Sequence, residues 1–180
     1  MNIPALFSTP ERVKILTHVI YRTTPFGVSQ VARELNLSKG LVSKYFNHLT
    51  DEGILDKKDG KHAVLNRKNS RAIRTLLNLN RIDTDTFKKY DFVEAAGLYG
   101  SHAKGGNTED SDIDIWILTR PTSEESLAKL SSELRKMLGN VAPLFLTPEK
   151  TALLRKENPV FYYSLAFGSM SLHGGGLEEI

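Results

Sequence analysis

Residues 97–114 read GLYGSHAKGGNTEDSDID and hold the residue types most suited to chemistry. Asp112 and Asp114 stand at i and i+2, eleven and thirteen positions after Ser101 of a Gly100-Ser101 pair. Side chains alternate across a strand, so the two carboxylates share one face and Ile113 and Ile115 take the other. Two carboxylates side by side form a hard-oxygen site of the kind Mg²⁺ uses, with water and substrate phosphate completing its shell. Backbone N–H groups at a Gly-Ser corner, with the Ser101 hydroxyl, suit phosphate oxygens. The pattern predicts one arm that grips a phosphate tail and another that holds the metal neutralising it.

Such a site needs strands to carry it. FVEAAGLYG predicts a strand over Phe92–Leu98, and IDIWIL a second, apolar strand running through Leu118. Gly100-Ser101 then opens a short helix. PTSEESLAKLSSELRKMLG predicts a helix capped by Thr122 or Ser123, with Glu124 and Glu125 in its first turn, Arg135 and Lys136 in its last and Gly139 as its stop. NVAPLFLT predicts a third strand, PEKTALLRKEN and PVFYYSLAF two short helices, and MSLHG a final strand. Strands alternating with helices predict a small α/β domain with helices over a sheet. Trp116 and Ile117 are read as core, the aromatic cluster Phe161, Tyr162 and Tyr163 as packing, and HGGGLEEI as a turn and exposed tail.

YGSHAKGGNTEDSDIDIWIL resembles the nucleotidyltransferase superfamily, in particular the minimal nucleotidyltransferases related to DNA polymerase beta. The resemblance covers about residues 90–146. It implies that Gly100 and Ser101 bind nucleotide phosphates, that Asp112 and Asp114 are catalytic and bind Mg²⁺, and that ATP or another NTP is the substrate. It also implies transfer of a nucleoside monophosphate to an acceptor hydroxyl, in a protein or a nucleic acid, and a toxin-like partner protein as one such acceptor. Members of that superfamily carry a third carboxylate on the next strand. NVAPLFLT holds no Asp or Glu, and the position falls near Pro143 or Leu144. Glu149 and Glu94 are the remaining candidates for the role, Glu149 being accounted for by helix polarity alone. His102 and Lys104 are read as phosphate contacts or as solvated loop residues.

The preceding half has a different character. Residues 1–82 carry 14 Lys and Arg against 6 Asp and Glu, a balance of +8, whereas residues 83–180 carry 10 against 15, a balance of −5. STPERVKILTHVIYR predicts a helix capped by Ser8 or Thr9, VSQVAREL a short second helix, and SKGLVSKYFNHLTDEG a third, with Ser38 and Gly53 at its ends. Asp59-Gly60 then predicts a hairpin turn between Ile54–Lys58 and Lys61–Leu65. Two helices, a brief turn and a following hairpin resemble the winged helix-turn-helix regulators over residues 8–66. The outer side of the third helix offers Lys39, Ser43, Lys44, Asn47 and His48, and the hairpin tip offers Lys57, Lys58 and Lys61. These side chains suit phosphate and base-edge contacts with double-stranded DNA. Arg67, Lys68, Arg71 and Arg74 continue the basic series on a fourth helix, NSRAIRTLLNLNRI, and IDTDTFKKYD is read as a linker. A homodimer accords with the two-fold pseudo-symmetry of duplex DNA.

The expected architecture is therefore α/β in two domains: a winged helix-turn-helix domain over 1–82 and a small nucleotidyltransferase fold over 90–180. The 180 residues contain no cysteine, which excludes disulfides, thiol nucleophiles and thiolate zinc sites among them. No apolar run approaches a membrane span, and the first residues lack a signal-peptide pattern, so no membrane partner and a cytoplasmic location are expected. Two other readings stay open: a non-enzymatic transcription regulator whose second domain senses nucleotide or mediates dimerisation, and a nucleic-acid-modifying enzyme whose first domain holds its substrate.

Overall fold

The computed structural model describes residues 1–179. The chain divides into two compact units, Met1–Leu77 with Gly105–Asp110, and Asn78–Lys104 with the segment from Ser111 onward.

The first unit opens with α1 (Ile3–Leu6), a turn absent from the sequence expectation, and α2 (Pro10–Val19). Thr9 caps α2 by accepting from the Arg12 N–H at 3.3 Å. α3 (Val28–Leu35) ends at Asn36, whose left-handed φ of 54° turns the chain into α4 (Lys39–Asp51). Ser38 caps α4, and Gly53, one residue past its C-cap Glu52, takes the positive φ that releases the chain. β1 (Leu55–Lys58) and β2 (Lys61–Val64) pair antiparallel. Asp59 and Gly60 both have positive φ, as a type I′ hairpin turn requires. Val42, Tyr45, Phe46 and Leu49 of α4 meet Ile15, Leu16, Val19, Val31 and Leu35 in one core. The Tyr45 hydroxyl donates to the Leu6 carbonyl at 2.8 Å, which ties α1 to that core.

α5 (Lys68–Arg81) contributes Ile73 and Leu77 to the first core. Arg74 departs from the sequence expectation. It is buried, and its Nε donates to the Ile20 carbonyl at 2.8 Å, so its charge is spent inside the unit. Glu109 also belongs to this unit: its N–H donates to the Tyr21 carbonyl at 3.0 Å, and its carboxylate accepts from the N–H and hydroxyl of Thr23, each at 3.1 Å.

The second unit is a four-stranded sheet of order β5-β4-β3-β6. β3 (Val93–Tyr99) pairs antiparallel with both β4 (Ile113–Thr119) and β6 (Met170–His173), and β4 runs parallel to β5 (Val141–Leu146). Ile113, Ile115 and Ile117 pack against Leu130, Leu134 and Leu138 of α8 (Glu124–Leu138). Trp116 and Leu118 face the opposite way, against Tyr162 and Leu165 of α10 (Pro159–Gly168). Because both faces are covered, β4 reads as a nearly unbroken apolar run. α7 (Gly100–Ala103) follows β3, and α9 (Pro148–Glu157) follows β5.

Three expectations need correction here. The stretch read as a linker forms α6 (Asp85–Lys88), whose Phe87 is fully buried in the second core because it fills space beside Val93 and Leu172. The tail read as exposed buries Leu177, which closes the core beneath α10; Ile180 lies outside the described residues. The aromatic helix packs only in part. Tyr162 is buried, but Tyr163 and Phe167 stack on each other at 5.9 Å on the outer side, Phe167 being 74% exposed.

Two positions test these cores. A Cβ on Gly97 would lie 2.4 Å from the Trp116 ring, its partner across the β3–β4 ladder. Gly97→Ala is expected to cost about 1–3 kcal/mol by overpacking, read as a lower urea midpoint. His62 is buried against Phe46 at 4.8 Å, and neither ring nitrogen has a partner among the described residues. Burial, and then the Lys57 charge, lower its pKa from the ordinary 6.5. The fold therefore favours neutral His62, so stability is fully present above about pH 6.5 and falls as pH drops below it. A thermal midpoint followed from pH 7 to pH 5 should decline, and His62→Phe should flatten that decline.

Candidate functional site

The β3–β4 ladder builds the site at one end of the sheet. Its last pair sets Tyr99 opposite Asp114, and the chain leaves β3 directly into Gly100. Gly100 has φ +67°, and a Cβ there would fall 2.3 Å from Asp114 Oδ2. The glycine is thus required twice, by its left-handed backbone and by the carboxylate against it. This contact unites the two halves of the motif that thirteen residues separate.

Asp112 is exposed just before β4, and Asp114 is half-buried within it. Alternation puts Asp114 on the face that also carries Trp116 and Leu118, as the i, i+2 spacing requires. Burial, and then the Asp112 charge, raise the Asp114 carboxyl above the ordinary 3.8. The Tyr99 hydroxyl is likewise pushed up, by burial and then by Asp114. A buried carboxylate beside a second one lacks positive charge, and a divalent cation supplies it. The donor set therefore fits Mg²⁺ with two protein oxygens and the rest of its shell from water and phosphate. Among the described residues, no group of three or more Asp, Glu or His stands ready to hold a metal by protein ligands alone.

The strand beside β4 on the side away from β3 is β5, which carries no Asp or Glu. In the parallel β4–β5 ladder, Ala142 lies beside Asp114 and Leu144 beside Trp116. Leu144 and Leu146 pack with Trp116, whereas Val141 and Phe145 pack on the α8 side. By alternation Pro143 belongs to the α8 side, and Ala142 and Leu144 share the face of Asp114, with Ala142 directly beside it. Glu149 follows β5 at the start of α9. It is exposed in the first turn of α9, where the Thr147 hydroxyl and its own backbone N–H hold its carboxylate below the ordinary range. Glu94 sits at the other end of β3 and pairs with Arg120 at 3.1 Å.

Two further side chains hold Asp112, and neither was singled out for this role from sequence. His102 is buried rather than solvated, and its ring hydrogen-bonds the Asp112 main chain. Its Nδ1 has no partner among the described residues. Burial, and then Arg81, lower its pKa. Asn78 fixes the same turn by donating to the His102 carbonyl at 2.8 Å. Asn140, in the corner between α8 and β5, donates its side-chain amide to Asp112 Oδ1. The only sequence signal for Asn140 is its place directly after the helix-stopping Gly139. Lys104 is exposed just past α7.

On the first unit, Lys39, Lys44 and Asn47 are exposed on α4, and Ser43 and His48 are half-buried, with His48 Nε2 shielded from solvent. Lys57, Lys58 and Lys61 are exposed on the hairpin.

Residues 84–166 match the family described as Polymerase beta, Nucleotidyltransferase. No curated protein gives a significant match. Among solved structures, the chain is similar to a toxin–antitoxin protein crystallised with AMP-PNP, at 21% identity over 57% of this chain and 77% of that one, with a TM-score of 0.42. A complex of tri-AMPylated Shewanella oneidensis HEPN toxin with MNT antitoxin is similar at 20% identity, over 56% and 73% of the two chains, with a TM-score of 0.37. The toxin–antitoxin pair MntA–HpeT, in mutant form, is similar at 17% identity, over 54% and 78%, with a TM-score of 0.40. The motif Gly100-Ser101 with Asp112 and Asp114 lies inside the residues that match this family, at the turn from β3 and the start of β4.

Proposed function

We propose that this domain binds an NTP with Mg²⁺ and transfers a nucleoside monophosphate to an acceptor hydroxyl, releasing pyrophosphate. The observation that carries this reading is the close approach of Gly100 to Asp114, which supports a phosphate-binding corner beside a metal-binding pair. Asp112 and Asp114 would hold the metal, which would supply positive charge to the phosphate oxygens. The backbone N–H groups at Gly100-Ser101 and the Ser101 hydroxyl orient the phosphate tail. The attacking oxygen must lose its proton, and β5 offers no carboxylate to accept it. A general base contributes about 10²–10⁴-fold, so turnover is expected to be slower by about that factor. In keeping with the resemblance to minimal nucleotidyltransferases, a hydroxyl on a toxin-like partner protein is the acceptor to examine before nucleic acid.

We further propose that the first unit is a winged helix-turn-helix that binds double-stranded DNA through exposed Lys39, Lys44 and Asn47 of α4 and Lys57, Lys58 and Lys61 of the hairpin, with Ser43 and His48 at the margin. A basic helix face followed by a basic hairpin supports this reading. The second reading, a regulator whose nucleotidyltransferase domain binds nucleotide without turnover, is favoured by Ala142 alone. Both place the protein in the cytoplasm, and a homodimer would match a palindromic site.

Calorimetry with Mg²⁺–ATP and Mg²⁺–GTP should show binding that Asp112→Ala/Asp114→Ala abolishes; equal heats from both proteins would refute the metal–phosphate site. Gly100→Ala should weaken the same binding by at least about 10-fold, because its Cβ displaces Asp114 and its backbone is strained. Label transferred from α-labelled NTP to a partner protein would separate the enzyme from the regulator. Duplex binding should weaken linearly with log salt, and Lys44→Ala should reduce that slope by about 1. An unchanged slope and affinity would remove α4 from the DNA interface.

A further inference from the structure

Asp112 is exposed at the end of a loop, yet its carboxylate is not left to rotate. Asn140 grips it through two different groups. Its main-chain carbonyl accepts the N–H of Ile113 at 2.9 Å, and its side-chain amide donates to Asp112 Oδ1. The first bond opens the parallel ladder, whose initial pair is Ile113 with Val141. The position of Asn140 therefore follows from sheet register and not from a chance meeting of surface side chains.

The corner that delivers Asn140 is equally defined. Gly139 ends α8 with φ +84°, and its N–H donates to the Arg135 carbonyl at 2.9 Å. The next residue must then enter β5 beside the start of β4. A helix stop alone would accept many residue types at position 140. An amide is the type that donates to a carboxylate without bringing a charge of its own. A lysine or arginine there would neutralise Asp112 and oppose a metal, and a carboxylate would repel it. The His102 ring bonds the main chain of the same residue.

We propose that Asn140 is a positioning residue for the metal site: it orients the Asp112 carboxylate, occupying Oδ1 with a hydrogen bond and presenting Oδ2 to the cation. This rests on the reading of Asp112 and Asp114 as metal ligands. A site with two protein carboxylates depends strongly on their orientation, since Ala142 adds no third oxygen to correct a rotated ligand. Partners that orient metal ligands in this way are typically worth about 10–100-fold in metal affinity.

The test uses the full chain and Mn²⁺ alone as the probe, with free Mn²⁺ followed by electron paramagnetic resonance. Four proteins are compared: the parent, Asn140→Leu, Asn140→Ala and Asp112→Ala/Asp114→Ala. The thermal midpoint of each is measured without metal. Position 140 is exposed, so both single variants should melt with the parent while binding Mn²⁺ about 10–100-fold more weakly. A merely structural role would lower the metal-free midpoint and the affinity together, and that result would overturn the proposal. So would Mn²⁺ binding in both single variants as tight as in the parent, when the double variant has lost it. If the parent binds no more Mn²⁺ than the double variant, the metal-site reading itself falls and this proposal falls with it.

Discussion

The antiparallel pairing of β3 with β4 is the constraint on which the second unit depends. It aligns Gly97 with Trp116 and Tyr99 with Asp114, two pairs apart along one ladder. At the first, the absence of a side chain makes room for an indole. At the second, the chain turns out of the strand at Gly100, whose missing Cβ makes room for a carboxylate oxygen. One ladder thus sets both the core and the site, and slipping it by a residue would exchange the two faces of β4 and send the acids into the α8 core.

Charge organises what the ladder positions. The Asp112 charge disfavours ionisation of Asp114, and among the described residues no lysine or arginine forms an ion pair with either. The groups that do reach Asp112 are Asn140 and His102, which donate hydrogen bonds and leave the negative charge in place. A protein that only needed a stable loop would gain more from an ion pair at this position. Held but uncompensated acids are what a cation-binding site requires.

The first unit follows a different economy. Its helices are short, and each is closed by a local device: Thr9, Asn36, Ser38 and Gly53. With the ends satisfied locally, the apolar stripes of α2, α3 and α4 meet in a single core, and the lysines of α4 and the hairpin are left outside it. Arg74 and His62 are the exceptions. One is buried with a carbonyl for its Nε and the other against the Phe46 ring, so their polar character contributes to the unit's interior and not to its surface.

Much of this was legible in the residues themselves, because local rules act over a few positions. Caps at Ser38 and Ser123, the Asp59-Gly60 turn and the apolar run of β4 each specify an element by near-neighbour chemistry, and the i, i+2 spacing alone puts Asp112 and Asp114 on one face. Tertiary structure decided what depends on partners distant in the chain. The parallel register of β4 with β5 brings Ala142 to Asp114 and Asn140 to Asp112 across 28 positions. Burial, which is a property of the packed whole, turned Phe87 and Leu177 from linker and tail into core, took Arg74 out of the basic face and placed His102 beneath the site. A residue type limits what a side chain can do; its neighbours in space, set by register and packing, determine which of those things it does.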